Sequence, residues 1–334
     1  MAFGDKSRRR THDAMATLTK PSASLTTKSR PLFHYTDARG LIGILETKCL
    51  FATHADFLND SSECRLLKAI VAPQLASEFE AAAEKFPQMA VLKKTPEQLV
   101  DAVFNTVLTT IEHTSPFYIT SFCLHSVDSD EYANGLLSQW RGYASGGFAI
   151  QFDENDIDQL TALENQKFSH AGILTERVHY KDHANRVDLA KFKGMAGATL
   201  LSVAEDKSEV ASIFGDKQLL DYMKPFLEVV PFLKDGGFSE EQEYRSVALC
   251  IRPGHRPDID DRQIRDVNFR VSRNGSVLPY VKRFNELERE LSIKSVVIGP
   301  HHNQENQRKA VSLLLEQHNV KAEVRLSKIP LREN

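Results

Sequence analysis

The chain has 334 residues, which at a soft prior of about 150 residues per domain means two domains, or one domain elaborated by insertions. Hydrophobic residues make up 41% and charged residues 26%, values that exclude wholesale disorder and a collagen-like or low-complexity chain. Forty-two Lys and Arg against 45 Asp and Glu leave a formal net charge of −3. The whole molecule therefore lacks the strong positive field of proteins held mainly by nucleic-acid phosphates, and only a local basic patch stays open.

Residues 1–30 contain seven Lys or Arg, two acids and many Ser and Thr, too little apolar surface to offset the entropy of ordering, so a flexible basic arm is expected there. The basic run Arg8-Arg-Arg10 reads as a solvated tail or as a phosphate contact. No apolar h-region follows it and no stretch of about 18 apolar residues occurs, so neither export nor membrane insertion is expected. Cys49, Cys64, Cys123 and Cys250 are widely spaced, with no C-x-x-C pair. They read as free thiols in a reducing cytoplasm.

The globular part opens with Leu32–Tyr35 as a short strand, Asp37-Ala-Arg-Gly40 as a turn, and Leu41, Ile42, Ile44 and Leu45 as the apolar positions of a helix. Leu50–Thr53 is a second strand. Asn59 or Asp60 can cap a helix that runs towards Phe86, and Thr95-Pro96-Glu97 opens another carrying Leu99, Val103, Val107 and Ile111. Phe117–Leu124 and Gly147–Phe152 read as strands, Val178–Tyr180 as a weak one, and residues 183–230 as mostly helical. Tyr244–Ile251 is a further strand. The last third gives a strand at Pro279–Val281, a helix around 283–291, a Val296–Ile298 strand ending at Gly299-Pro300, a helix over 304–318 and a strand at Ala322–Leu326. No repeat is visible, and no G-x-G-x-x-G or G-x-x-x-x-G-K-[ST] follows a strand, so dinucleotide-fold and P-loop readings fail. The expected fold is mixed α+β. Residues 31–332 are expected to form one elaborated domain, with helical insertions near 60–114 and 183–230.

Four polar clusters fall at strand ends or beside them: His34-Tyr35-Thr36, Asn59-Asp60, Trp140-Arg141 with Tyr143, and Glu241-x-Glu243 with Arg245. His34 and Thr36 can offer hydrogen bonds to a ribose or amide, although a lone His is more often a satisfied core residue. The planar guanidinium of Arg141 suits a diphosphate or carboxylate. Glu241 and Glu243 in an extended segment would project to one side and repel, unless a ligand or a cation such as Arg245 relieves them. Asp56, Asp60, Glu63, Glu241 and Glu243, with Asn59, supply enough carboxylates for a two-metal nuclease site if they converge. His301-His302 lack a third ligand at readable spacing, and no metal is expected.

The ordered set Phe33-His-Tyr-Thr36, Leu58-Asn-Asp60, Ser138-Gln-Trp-Arg-Gly-Tyr143, Phe238 with Glu241-x-Glu-Tyr-Arg245, Val297-Ile-Gly-Pro300 and Ser327–Pro330 resembles a bacterial family catalogued as a domain of unknown function. Tyr244 stands where Trp is common in that family. More distantly, the order of a strand-borne His34, a Ser-bearing strand (Ser121) and an E-x-E before another strand is similar to the ADP-ribosyltransferase-like superfamily, which includes bacterial toxins that modify DNA or tRNA. That resemblance implies a split, mixed β-sheet core, NAD as substrate and a nucleic-acid or protein acceptor, in a toxin or phage-defence effector. It implies that His34, with Tyr35 and Thr36, binds the nicotinamide side, that Ser121 braces the site, and that Trp140, Arg141 and Arg245 complete it, with Arg141 on the diphosphate. Tyr143 is the candidate to stack on nicotinamide. Glu243 would stabilise the oxocarbenium-like charge and Glu241 would orient the acceptor. A metal-dependent nuclease and a non-catalytic sensor are the competing readings.

Overall fold

The computed structural model describes residues 29–58, 63–85, 94–143, 147–180, 187–196, 217–255, 260–272 and 275–330. The arm expected over residues 1–30, apart from Ser29 and Arg30, and the Asn59-Asp60 cluster lie outside the described residues, as does much of the segment 183–230.

The sheet is built from β1 (Pro31–Thr36), β2 (Leu50–His54), β3 (Phe117–Leu124), β4 (Phe148–Asp153), β5 (His170–Arg177), β6 (Glu243–Cys250), β7 (Val267–Val271), β8 (Val277–Arg283), β9 (Ser295–Ile298) and β10 (Glu323–Leu326). These ten strands form one mixed sheet in the order β10-β9-β4-β1-β3-β2-β8-β7, with β6 also on β3 and β5 on β6. Around it, among the described residues, lie α1 (Ala38–Thr47), α2 (Glu63–Lys85), α3 (Pro96–Thr114), α4 (Asp130–Asn134), α5 (Leu137–Tyr143), α6 (Glu154–Lys167), α7 (Lys217–Val229) and α8 (Gln304–Gln317). The fold is thus α+β.

Local chemistry sets several of these boundaries. Asp37 caps α1 by accepting the Gly40 N–H at 2.9 Å. Thr95 and Gln98 form a reciprocal capping box at α3, with Pro96 at its first position, as the sequence implied. Two large apolar clusters hold the layers together. One joins α2, α3 and α7 to one face of β3 and β6 through residues such as Leu67, Val103, Phe226, Ile119 and Val247. The other packs α1, α6 and α8 on the opposite face of β1, β3, β4 and β9 through Leu45, Leu160, Val311, Phe122 and Ile150.

The sheet splits beside β3. One edge of β3 pairs with β6 along Phe117–Cys123. Its other edge is shared, with β1 on Cys123 and Leu124 and β2 on Tyr118 and Ile119. Between those pairings the Ser121 carbonyl has no strand partner on that edge among the described residues, and the His34 ring supplies the bond instead, Nδ1 to O at 3.0 Å. A carbonyl only accepts, so the His34 proton sits on Nδ1.

Three expectations are corrected. Residues 284–291 form turns rather than a helix, with Phe284 at φ 70° and Glu286 at φ 61°, a left-handed conformation no helix accommodates. The strand expected at Val178–Tyr180 lies one segment earlier, as β5. Glu241 and Glu243 do not share an extended segment: Glu241 ends a 3₁₀ turn over Gly236–Glu241, and Gln242, at φ 44°, reverses the chain before β6 begins.

Candidate functional site

Glu243 opens β6, and the antiparallel register sets Cys123 opposite it and Ser121 opposite Arg245. By the period of two, Ser121, Cys123, Glu243 and Arg245 all project from one face of the sheet. The Glu243 carboxylate is buried. It accepts from Arg245 Nε at 3.0 Å and from Lys234 Nζ at 3.1 Å, and the Ser121 hydroxyl donates a third bond. Lys234 also reaches Glu241 at 2.7 Å, while Arg245 Nη1 donates to Glu63 at 3.1 Å and to the Pro231 carbonyl at 2.7 Å. The result is a chain of alternating charges, Glu63–Arg245–Glu243–Lys234–Glu241. Lys234 relieves the repulsion within the E-x-E pair.

Electrostatics fixes the charge states. Burial alone would raise the Glu243 pKa, but the Arg245 guanidinium, the Lys234 ammonium and the Ser121 hydroxyl together hold it below the usual carboxylate range. Burial likewise works against the Lys234 charge, and Glu243 and Glu241 outweigh it, so its pKa is raised. Glu243 is therefore an anion at neutral pH.

Glu243 lines a cavity of about 540 Å³ at the end of the sheet where β3 and β5 finish and β1 and β6 start. Arg30, His125, Arg177, Tyr180 and Gln242 share its wall. Its volume falls within the range of small-ligand pockets, about 300–1,000 Å³. The Tyr180 hydroxyl accepts the Glu243 backbone N–H at 2.8 Å, and burial keeps its proton on by raising its pKa. His125 is 4% exposed, and burial pushes its pKa down to about 4 against the opposing Glu131 charge and Leu124 carbonyl. With the Leu124 carbonyl taking one ring N–H, Nε2 accepts from the Tyr35 hydroxyl at 2.9 Å, and that hydroxyl accepts the Leu136 N–H at 2.7 Å.

The structure thus brings Glu241, Glu243, Arg245 and Ser121 together and puts Glu243 on a cavity. It does not bring the remaining candidates to that cavity. His34 lies on the opposite face of the sheet, edge-on to Phe122 at 6.0 Å, and connects to the site only through the Ser121 backbone. Thr36 packs against α1, where a Cβ added to Gly40 would come within 1.8 Å of its hydroxyl. Tyr35 and Trp140 are core residues, their rings 4.8 Å apart, and the Trp140 indole N–H donates to the Asn134 carbonyl. The physical reason is position along the sheet: Tyr35 is on the same face as Cys123 but pairs with Ala149 of β4, beneath α5 and away from the β3–β6 pairing. Arg141 is exposed on α5, outside the cavity wall, and the Tyr143 side chain lies outside the described residues.

Among the described residues, the glutamates weighed for a two-metal centre are held by cations, while Asn59 and Asp60 lie outside the described residues. Glu63, Glu241 and Glu243 are each bonded to Arg245 or Lys234. Asp56 instead lies near His54 and Glu112, whose ligand atoms fall within 4.8 Å of one another. There His54 Nε2 faces Glu112 at 3.2 Å, and Arg252 holds the other Glu112 oxygen at 3.0 Å.

A second ionic group is structural. Glu164, fully buried, accepts from Arg283 Nε at 2.8 Å and Arg265 Nε at 3.0 Å. His170, 3.8 Å away, is neutral, because burial pushes its pKa down to about 3 despite that carboxylate.

Fold and site together define an open-sheet α+β protein with a charge-lined cavity at its strand ends. Residues 139–246, which include the W-R-x-Y and E-x-E-Y-R motifs, match a family described as a protein of unknown function, DUF2971. No curated protein and no solved structure matches the chain. No described helix is long and apolar enough to cross a membrane.

Proposed function

We propose that the cavity binds NAD and that Glu243 promotes cleavage of its nicotinamide–ribose bond, the ADP-ribose passing to a nucleic-acid or protein acceptor. The observation that carries this reading is the state of Glu243. A carboxylate offers about four lone-pair sites, and Arg245, Lys234 and Ser121 occupy three of them. No other described residue takes the remaining one, which in this reading receives a ribose 2′-hydroxyl.

In this scheme the bond between ribose C1′ and the nicotinamide nitrogen breaks, and its electron pair leaves with neutral nicotinamide. Positive charge develops on the ribose, where a fixed anion in a water-poor site is worth most, as in glycoside hydrolysis. The acceptor's nucleophilic atom then bonds C1′ and gives up its proton. Glu241, half-buried and fixed by Lys234, would orient that acceptor. His34 acts at one remove, by fixing the Ser121 backbone. A toxin or phage-defence effector is the biological setting that such an activity suits.

The test is transfer. NAD labelled in its ADP-ribose moiety is incubated with the protein and, separately, bacterial DNA, RNA or lysate protein. The proposal expects label on one acceptor class, lost in Glu243→Gln. Absence of transfer to all three, together with intact NAD, would count decisively against it.

A further inference from the structure

The wall of the cavity across the strand ends from the Glu243 carboxylate carries two arginines with different roles. Arg30, just before β1, is held by Glu154 through both of its carboxylate oxygens. Its guanidinium carbon stands 5.7 Å from the centre of the Tyr244 ring. Arg177 ends β5 directly opposite Tyr244 in the register, so it projects from the same face and towards the same ring. Arg177 makes no ion pair within 4.0 Å with a described residue, and both oxygens of the neighbouring Glu154 carboxylate are taken by Arg30. It remains exposed at the mouth of the cavity.

Two guanidiniums on one wall, one neutralised and one not, leave an uncompensated positive charge facing a space that a ligand can enter. The cost of that arrangement shows in Arg177 itself, whose pKa is lowered, first by burial of its stem and then by the charge of Arg30. An entering anion would relieve both. Arginine suits the task, since its planar fork presents up to two parallel donors to a phosphate.

We infer that Arg177, backed by Arg30, is an anion subsite that takes a phosphate or diphosphate group of the cavity's ligand. The inference rests on the reading of the cavity as a ligand site and narrows its ligand to a phosphorylated sugar or nucleoside diphosphate, hydroxyl towards Glu243 and phosphate towards Arg177. It does not depend on bond cleavage, so the two claims separate experimentally.

The experiment is calorimetric titration of the full chain with inorganic pyrophosphate and with ADP-ribose, alongside a nicotinamide-release assay. Wild-type protein should bind both ligands, more weakly as salt rises. Arg177→Gln should bind both at least about tenfold more weakly, the scale of one charge-assisted hydrogen bond, and Arg177→Lys should fall between. Arg308→Gln, on α8 and paired with Glu305, should bind like wild type. Equal binding by Arg177→Gln and wild type, or no saturable binding of either ligand, overturns the subsite. Arg177-dependent binding without nicotinamide release keeps the subsite and removes the NAD chemistry. Release that ignores Arg177 does the reverse.

Discussion

Acidification is the most direct probe of how this protein manages its buried histidines. An imidazole in the unfolded chain takes up its proton near its ordinary pKa of about 6.5, whereas His125 in the folded protein does so only at about 4. Between those values the unfolded state binds more protons, so stability falls as pH falls, and it stops falling once the folded-state pKa is passed. From about pH 7 to about pH 5 the linkage relation gives a loss of about 2 kcal/mol from His125, and a similar loss from His170, whose pKa is about 3. His34, lowered by burial as well, acts in the same direction. The carboxylates do not share this window. Glu243 and Glu164 have lowered pKa values, so their stabilisation is present above the unfolded carboxylate pKa and is lost only as pH falls through the lower folded value. Urea denaturation at about pH 7, 6 and 5 should therefore lose about 4 kcal/mol in all. His125→Gln, which keeps an acceptor for the Tyr35 hydroxyl, should reduce that loss by about half. Stability that stays flat over this range, or an unchanged slope in His125→Gln, would mean that the buried imidazoles do not set the acid sensitivity of the fold.

Three further outcomes follow from the same geometry. Glu164→Gln should destabilise the protein by about 3–5 kcal/mol in denaturant titration, because it leaves Arg265 and Arg283 buried without their shared anion. Gly135→Ala should cost about 3 kcal/mol, since Gly135 sits at φ 74° and a Cβ there would come 2.2 Å from the Trp140 ring. Lys234→Met should raise the Glu243 pKa by removing one of its two cations, moving the acid limb of any NAD-cleaving pH profile upward; an unmoved limb would detach that carboxylate from the chemistry.

The sequence showed much of this fold because much of it is local. The capping chemistry of Asp37 and of Thr95 with Gln98 marks helix starts within the chain itself, and the apolar runs of β3, β4 and β9 are buried on both faces and read as strands. β5 was harder to see, because Gly172 interrupts its apolar run and a register shift at its start removes the clean period of two. The turns after β8 were hidden by side chains, such as Leu287 and Leu291, that suit a helix as well as a packed turn. At the site, the E-x-E and Arg245 are neighbours in the sequence, and Ser121 lies on a legible strand. Tyr180, His125 and Arg177 reach the cavity, and Lys234 reaches the Glu243 carboxylate, only through the tertiary arrangement around β3, β5 and β6, and no local pattern announces them. His34, Thr36, Tyr35 and Trp140 illustrate the converse: adjacency in the chain says nothing about which face of a strand or helix a side chain takes until the register is known.

The central claim is that Glu243 is the anion on which NAD cleavage depends, and free nicotinamide is its most direct readout. Purified protein should release nicotinamide from NAD, and Glu243→Gln should release it about 10²–10³-fold more slowly, the scale for removing one preorganised electrostatic group. Matching thermal melts of the two proteins would show that the fold survives the substitution. Equal release by wild type and Glu243→Gln, or none by wild type with every acceptor class present, would contradict the account.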